Sequence, residues 1–434
     1  MNKHRLIAIG VLVAAVAAAI GVGTAGGSGK QVQTGSAISG KISVISEATG
    51  PEIKNFKAVL AGFTKKYPKV KVKYNSAGRQ IATILGTAVA GGNPPDIALL
   101  PQPGLLKDFA GKGALKPITF ARPTIAKNWA PVWLQLGTVK GKLYGLFFKG
   151  ANKSTVWYNV KSFKNAGVTA PTTWPAFLAA AKTIKASGQA PFSIGGSDGW
   201  TLTDLFENIY LRQAGGVKYD QLTDHKIKWT DPSVKDALRT MGQVLQSDLI
   251  AGGTAGALQT DFATSVSQAF TDPPKAAQVI EGDFVAGVIT GSTKAKPGTD
   301  FNVYSFPSIG GSAPAVVGGG DAVVMFRDSP AARALISYFA TPEAATIWAK
   351  LGGYSSPNKN VPPSAYKDPI TRATATGLAR AKTFRFDLSD LQPSAFGGTV
   401  GQGEFQLFQD FLKDPSDVDG IASKLEAAAA KAYG

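Results

Sequence analysis

The sequence predicts an α/β protein of two lobes, and three observations carry that expectation. Strand, helix, strand, helix, strand succeed one another between residues 42 and 100, the rhythm of a parallel sheet. At 434 residues the chain is longer than one hydrophobic core usually covers. A glycine-interrupted apolar run at 316–326 reads as strand, glycine crossing, strand, which would carry the chain back from a second lobe to the first.

The elements follow in order. Residues 42–45 form a short apolar strand, and Gly50-Pro51 opens a helix with Ile53, Phe56, Val59, Leu60 and Phe63 on one stripe, stopped by Pro68. Val70, Val72 and Tyr74 alternate with Lys69, Lys71 and Lys73, as in a half-exposed strand. Ile81, Ile84, Leu85 and Ala88 then recur at helical spacing. Gly91-Gly92 ends that helix, and Pro94-Pro95 forces an extended entry into the apolar strand 97–100, with the turn between them placed for binding. Residues 141–146 are a turn feeding a strand and 154–158 a second extended run, with a hinge between them near Ala151.

Beyond the hinge, Thr173 caps a helix with Pro175 in its first turn and Phe177, Leu178, Ala181 and Ile184 on its buried face. Asp231-Pro232 starts another, carrying Val234, Leu238, Met241 and Leu245. Ser329-Pro330 and Thr341-Pro342 open two more, ended by Gly352-Gly353, and the last helices pack on the second lobe. Trp174 and Trp348 read as packing residues.

The amino terminus differs in kind. Lys3, His4 and Arg5 precede an apolar stretch at 6–22, and Gly/Ser/Thr-rich sequence continues to about residue 40. Residues 1–39 therefore read as an export segment and linker. Gly23-Thr24-Ala25 offers a cleavage point, and an uncleaved anchor stays open.

Composition narrows the chemistry. Cysteine is absent, which removes thiolate metal sites, redox centres and cysteine nucleophiles. Only His4 and His225 exist, so neither a histidine metal site nor a Ser-His-Asp triad is expected; no metal and no cofactor are predicted. Nucleotide and dinucleotide glycine motifs are missing. Paired carboxylates, as in a glycosidase, stay open, because the 29 Asp and Glu offer many pairings. The 46 Lys and Arg give a net charge of +17. They are dispersed and not interleaved with aromatics, which points to an anionic cell envelope or membrane surface and away from nucleic acid.

Several segments carry a resemblance. Residues 90–100 join helix to strand through Gly-Asn-Pro-Pro-Asp; Gly-Lys-Leu-Tyr-Gly stands at 141–145 and Trp-Tyr-Asn at 157–159; Pro-Thr-Thr-Trp precedes a helix at 171–174. Gly318-Gly319-Gly320-Asp321, the loop 352–361 and Phe384-Arg385-Phe386-Asp387 follow in the same order. Across roughly the whole chain beyond the leader, the sequence resembles the extracellular solute-binding protein family 1 of bacterial carbohydrate ABC importers, most nearly its α-glucoside-binding branch. The resemblance implies a two-lobed periplasmic-binding-protein-like fold of type II, maltose-binding-protein-like, with the ligand cleft between lobes. The lobes would be 40–150 with 316–350, and 151–315 with 351–434, crossed near Ala151, Val316 and Gly352. It further implies an exported monomer that captures an oligosaccharide by hinge closure, hands it to a membrane permease and catalyses nothing. The rival is a surface glycoside hydrolase. One departure stands out: the lipid-modified cysteine that many relatives carry at the end of the leader is missing.

A sugar asks for aromatic faces and for bidentate acceptors and planar donors. Trp200, after Gly199, is the stacking candidate, and the family places a Trp after Gly at the cleft; alternatively Thr201 caps a helix with Asp204 at its third position and Trp200 staples onto Leu205. For Asp204 the cap is the favoured reading. Glu47 sits just past the first strand, where open parallel sheets bind ligands. Arg79, a cation at a helix start, opposes the helix dipole and so suits a specific role. Asp321 follows glycines, Gly319 among them, that allow close backbone approach. Asp283, Phe284, Tyr354 and Asp387 complete the expected ligand-binding set.

Overall fold

Alternating apolar residues at 40–46 and 70–76 lie side by side as parallel strands, so that one face of each is more deeply buried than the other. The computed structural model describes residues 38–379 and 381–434; the leader expectation for residues 1–37 lies outside the described residues. Among the described residues no helix is long and apolar enough to cross a membrane. The strands β1 (Gly40–Ser46), β2 (Val70–Ser76) and β3 (Ile97–Leu100) run parallel in the order β2-β1-β3, linked by the helices Pro51–Lys66 and Ile81–Ala90. The first helix buries Phe56, Val59, Leu60 and Phe63 as expected. The second buries Ile81, Ala82 and Leu85, whereas Ile84 is 42% exposed. That ten-residue helix packs through a narrower stripe than its apolar spacing allows.

A small ribbon of β4 (Thr138–Val139) and β5 (Lys142–Leu143) leads into β6 (Gly145–Asn152), every residue of which is buried. Two residues later β7 (Thr155–Asn159) begins a second sheet. With β8 (Ala190–Phe192), β9 (Ala276–Ile280) and β10 (Phe301–Ser305) it has the order β10-β7-β9-β8. The chain then returns through β11 (Val316–Met325) to the first sheet, where β12 (Phe384–Phe386) adds a short parallel strand. β11 pairs antiparallel with β6 on one side and with β3 on the other.

Residues 316–326 were expected to break at the glycines, but β11 is continuous, with a shift in register between Asp321 and Ala322. The glycines serve packing instead. A Cβ on Gly320 would stand 2.6 Å from the Lys149 carbonyl oxygen, too close for any other residue.

Each sheet has its own core. Phe56, Phe148, Phe339, Trp348 and Tyr354 make an aromatic cluster beside the first. Phe206, Tyr210, Trp229 and Phe408 make one within the helices beside the second, which also takes in the final helix Val418–Tyr433. Where the chain passes between sheets, Lys153 N–H donates to the Val317 carbonyl at 2.9 Å and Val317 N–H to Ser154 Oγ at 2.9 Å, so outgoing and returning segments are laced together. Local capping fell where the sequence placed it. Thr173, Asp231, Ser329 and Thr341 each accept a backbone N–H of the first helical turn that follows.

Candidate functional site

The carboxyl ends of the parallel strands open onto a cleft of about 770 Å³ between the two lobes. Glu47 enters it just past β1, Ala77–Ile81 past β2, and Pro101 and Gln102 past β3. Ser197, Asp198, Trp200, Asp261 and Phe262 face them from the second lobe; Lys149, Lys153 and Asp321 form the floor. The Gly-Asn-Pro-Pro-Asp turn, expected near the ligand, sits at the opposite end of β3. There Asp96 accepts from the Ser43 N–H and Oγ at 2.7 Å each, and Asn93 Oδ1 accepts from Arg327 at 2.7 Å. Its role is to tie β3 to its neighbours.

Of the expected ligand-binding residues, the fold brings Glu47, Arg79, Trp200, Phe284 and Asp321 to the cleft. Glu47 Oε2 and Asp321 Oδ2 are buried and, among the described residues, have no hydrogen-bond partner. Burial and then the nearby Asp321 charge push the Glu47 carboxyl well above the usual range, against the pull of Lys149. Lys149 Nζ donates to Glu52 Oε1 at 2.6 Å and lies 3.5 Å from Asp321, an ion pair too long for a strong hydrogen bond. Burial disfavours its charge, but Glu52, Asp321 and Glu47 together outweigh burial and hold it protonated.

Trp200 begins the helix Trp200–Thr223, although not through a side-chain cap. Gly199, at φ 82°, makes the turn, and a Cβ there would meet Phe405 at 2.6 Å. Thr201 donates instead to the Gly195 carbonyl at 2.8 Å. The half-exposed indole packs on Phe262 and Phe284 with ring centroids 5.1 and 5.9 Å away, not on Leu205, and Lys153 Nζ stands 5.6 Å from its centroid. An aromatic wall therefore adjoins a charged floor, where Glu47, Glu52 and Asp321 surround Lys149.

Arg79, from the turn after β2, reaches the other lobe. Its Nη1 donates to Asp198 Oδ1 at 3.0 Å and to the Ser197 carbonyl at 3.1 Å. Asp198 in turn accepts the Phe262 N–H at 2.8 Å.

The remaining expected residues stand behind the cleft. Asp204 does not cap the helix; it is buried and accepts from Lys153 Nζ at 2.9 Å, which also contacts Asp387 and lies 3.9 Å from Asp390. Burial raises the Asp204 carboxyl to about 7 despite the lysine. For Asp387 burial acts the same way, but Lys153 overrides it and the group falls to about 2. Asp387 also caps the helix Leu388–Leu391, so its two oxygens are spent. Asp283 accepts from Ser355 Oγ at 2.5 Å, and burial lifts it to about 6. Tyr354 is buried, stacked on Trp348, with its hydroxyl donating to the Phe148 carbonyl at 2.7 Å. Gly319 meets the stem of Lys153: an added Cβ would lie 2.7 Å from its Cε.

Sequence reasoning missed Glu52, Lys149, Lys153, Asp198 and Phe262. One signal was available for the lysines. Charged residues in and just past a strand buried on both faces need a partner, and 145–153 is otherwise apolar apart from Asn152. Phe262 carried none.

Known proteins agree with this architecture. The profile of the family described as bacterial extracellular solute-binding protein matches residues 48–346. The osmoprotective compounds-binding protein GgtB of Synechocystis sp. is 33% identical over 374 residues, 84% of this chain and 86% of that protein. The alpha-glucosides-binding periplasmic protein AglE of Rhizobium meliloti is 33% identical over 387 residues, 86% of this chain and 83% of the relative. The solved structure of a chitin oligosaccharide binding protein superposes with a TM-score of 0.78 at 22% identity, covering 91% of this chain and 99% of the other, a likeness that shows the two-lobed, maltose-binding-protein-like fold. By sequence and by fold, this chain belongs to the bacterial extracellular solute-binding protein family.

Proposed function

We propose that the protein is the extracytoplasmic substrate-binding component of an ABC importer, and that it captures a carbohydrate, an α-glucoside or related oligosaccharide, in this cleft. The observation that carries the reading is the pairing of wall and floor. Trp200, half-exposed and braced by the buried Phe262 and Phe284, offers a ring face to the C–H side of a sugar, while Glu47 and Asp321 hold buried oxygens awaiting hydroxyl donors. Names of relatives support it: one binds α-glucosides, another osmoprotective compounds.

Capture works by closure. A ligand touching both lobes stabilises the shut form, which the membrane permease reads, and Arg79 reaching Ser197 and Asp198 bridges the mouth. The lobes divide at 40–150 with 316–350 and 151–315 with 351–434, with Tyr354 and Phe386 of the last stretch packed into the first core. The protein is exported, acts as a monomer, uses no cofactor or metal, and performs no reaction on the sugar.

A ligand at about a hundredfold excess over Kd adds ~2.7 kcal/mol and raises the melting temperature by roughly 2–4 °C. Thermal melting against mono-, di- and oligosaccharides, with small-angle scattering on those that bind, tests this. The expected result is a higher melting point and a smaller radius of gyration. No shift with any sugar, or sustained release of new reducing ends from α-glucosides, would overturn it.

The cleft also sets a sign. Glu47, Glu52, Asp198, Asp261, Asp321 and Asp390 line it against Arg79, Lys149 and Lys153. Each of those cations already has an acidic partner. A sugar acid or sugar phosphate is therefore expected to bind at least about tenfold more weakly than its neutral parent, measured by calorimetry. Equal affinities would count against the acidic lining of the cleft as the recognition surface.

A further inference from the structure

The outer edge of the first sheet holds a charge arrangement that folding does not explain. Lys69, in the turn just before β2, and Lys71 and Lys73 along that free edge strand are exposed, and Lys41 is exposed on β1 beside it. The register sets Lys41 directly opposite Lys71 and Ser43 opposite Lys73. Like charges facing each other across a ladder destabilise it. Val70, Val72 and Tyr74 take the other face, where Tyr74 meets Phe56 of the helix Pro51–Lys66 with ring centroids 5.2 Å apart, so Lys41, Lys71 and Lys73 share the opposite face, and all three are exposed.

Among the described residues no carboxylate neutralises them. Between Glu52 and Asp96 the sequence has no acid and seven lysines. Among the described residues Lys66 of that stretch pairs with Glu343 at 3.3 Å, while Lys41, Lys69, Lys71 and Lys73 have no carboxylate within 4.0 Å. Edge lysines do guard a strand against pairing with other chains. Lys41, however, lies on an interior strand, flanked by β2 and β3, where no such guard is needed.

We propose that Lys41, Lys69, Lys71 and Lys73 form a docking surface for the acidic headgroups of a lipid bilayer. Two further observations favour a bilayer as the occupant. The chain that follows the apolar 6–22 segment enters the fold at this edge, with Gly40 N–H donating to the Lys69 carbonyl at 3.3 Å, and stable membrane attachment takes two weak signals acting together. The patch also begins at the amino ends of the strands, while the cleft opens at their carboxyl ends. From Lys41 to Glu47 the rise is roughly 20 Å. A bilayer on the patch leaves the cleft free.

The test uses the full chain in co-sedimentation with vesicles of phosphatidylcholine alone and mixed with phosphatidylglycerol. The difference between the two isolates charge from any apolar insertion. The acidic vesicles should retain the wild type, and raised salt should release it. The triple variant Lys41→Gln, Lys71→Gln, Lys73→Gln should lose roughly a hundredfold in that difference, with a melting temperature unchanged or higher because the opposed charges are gone. A control of equal net charge, Lys182→Gln, Lys228→Gln, Lys424→Gln, at exposed positions of the second lobe, should keep wild-type retention. Equal losses in both triples, no preference for acidic vesicles, or retention on purified cell-wall polymer without retention on vesicles would each overturn the proposal. Any of these outcomes would leave the sugar reading of the cleft untouched.

Discussion

Replacing Lys153 by methionine is expected to lower the stability of the protein by on the order of 3–5 kcal/mol, with a deficit that depends on pH. The side chain is buried at the crossing between the lobes, against Asp204, Asp387 and Asp390, with Glu207 adding a further negative charge. Methionine keeps the stem and removes the cation, leaving acids in the interior without it. Burial opposes the lysine's charge, but the surrounding acids overcome that and raise it well above its ordinary value.

The sign follows from linkage. Asp387, held at about 2, contributes stability that is present above the unfolded value near 4 and lost as pH falls through 2. Lys153, raised, contributes stability that is present below its unfolded value near 10 and lost only as pH rises through its higher folded one. In the variant both contributions vanish, and the orphaned carboxyls titrate above 4, so the folded state binds more protons than the unfolded. Its stability then falls as pH rises from about 4. Urea unfolding at pH 4.5 and at pH 8 should show a much larger deficit at pH 8. Equal deficits would mean that Lys153 matters for packing alone. In the wild type, Asp204 at about 7 and Asp283 at about 6 act in the same direction: each favours folding when protonated and costs stability as pH rises from 4 through its folded value.

Much of the fold was legible because its information is local. Alternation of Val70, Val72 and Tyr74 with lysines fixes which face of β2 is buried, and Thr173, Asp231, Ser329 and Thr341 announce helix starts by chemistry that acts over three residues. The same local reasoning failed at Thr201. A glycine at positive φ made the turn there, and the hydroxyl found a carbonyl outside the helix. Glu47 could be placed because strand ends are where parallel sheets bind. Asp204 and Asp387 could not be told from ligand-binding acids, since what distinguishes them is Lys153, 51 and 234 residues away in sequence. The glycines of 318–320 misled for a related reason: what crowds them is a strand and side chains from distant segments.

The Trp200→Ala variant carries the largest expected effect on binding. The ring is half-exposed to the cleft and braced by Phe262 and Phe284, so its face is presented at a fixed angle before any ligand arrives. A stacked ring contributes ~0.5–1.5 kcal/mol beyond burial, and truncating a central aromatic anchor typically costs 2 kcal/mol or more. A loss of about 30–150-fold in affinity is expected by calorimetry, largely recovered in Trp200→Phe. Stability should change less, because the helix start has no side-chain cap to lose and the core behind it is closed by Leu202, Leu205 and Phe206. Tyr354→Phe is the matched control. That hydroxyl serves the Phe148 carbonyl in the core, so the variant should lose about 1 kcal/mol of stability and no affinity. Unchanged affinity in Trp200→Ala with a lowered melting point would make the indole a brace for Phe262 and leave the cleft without its stacking face.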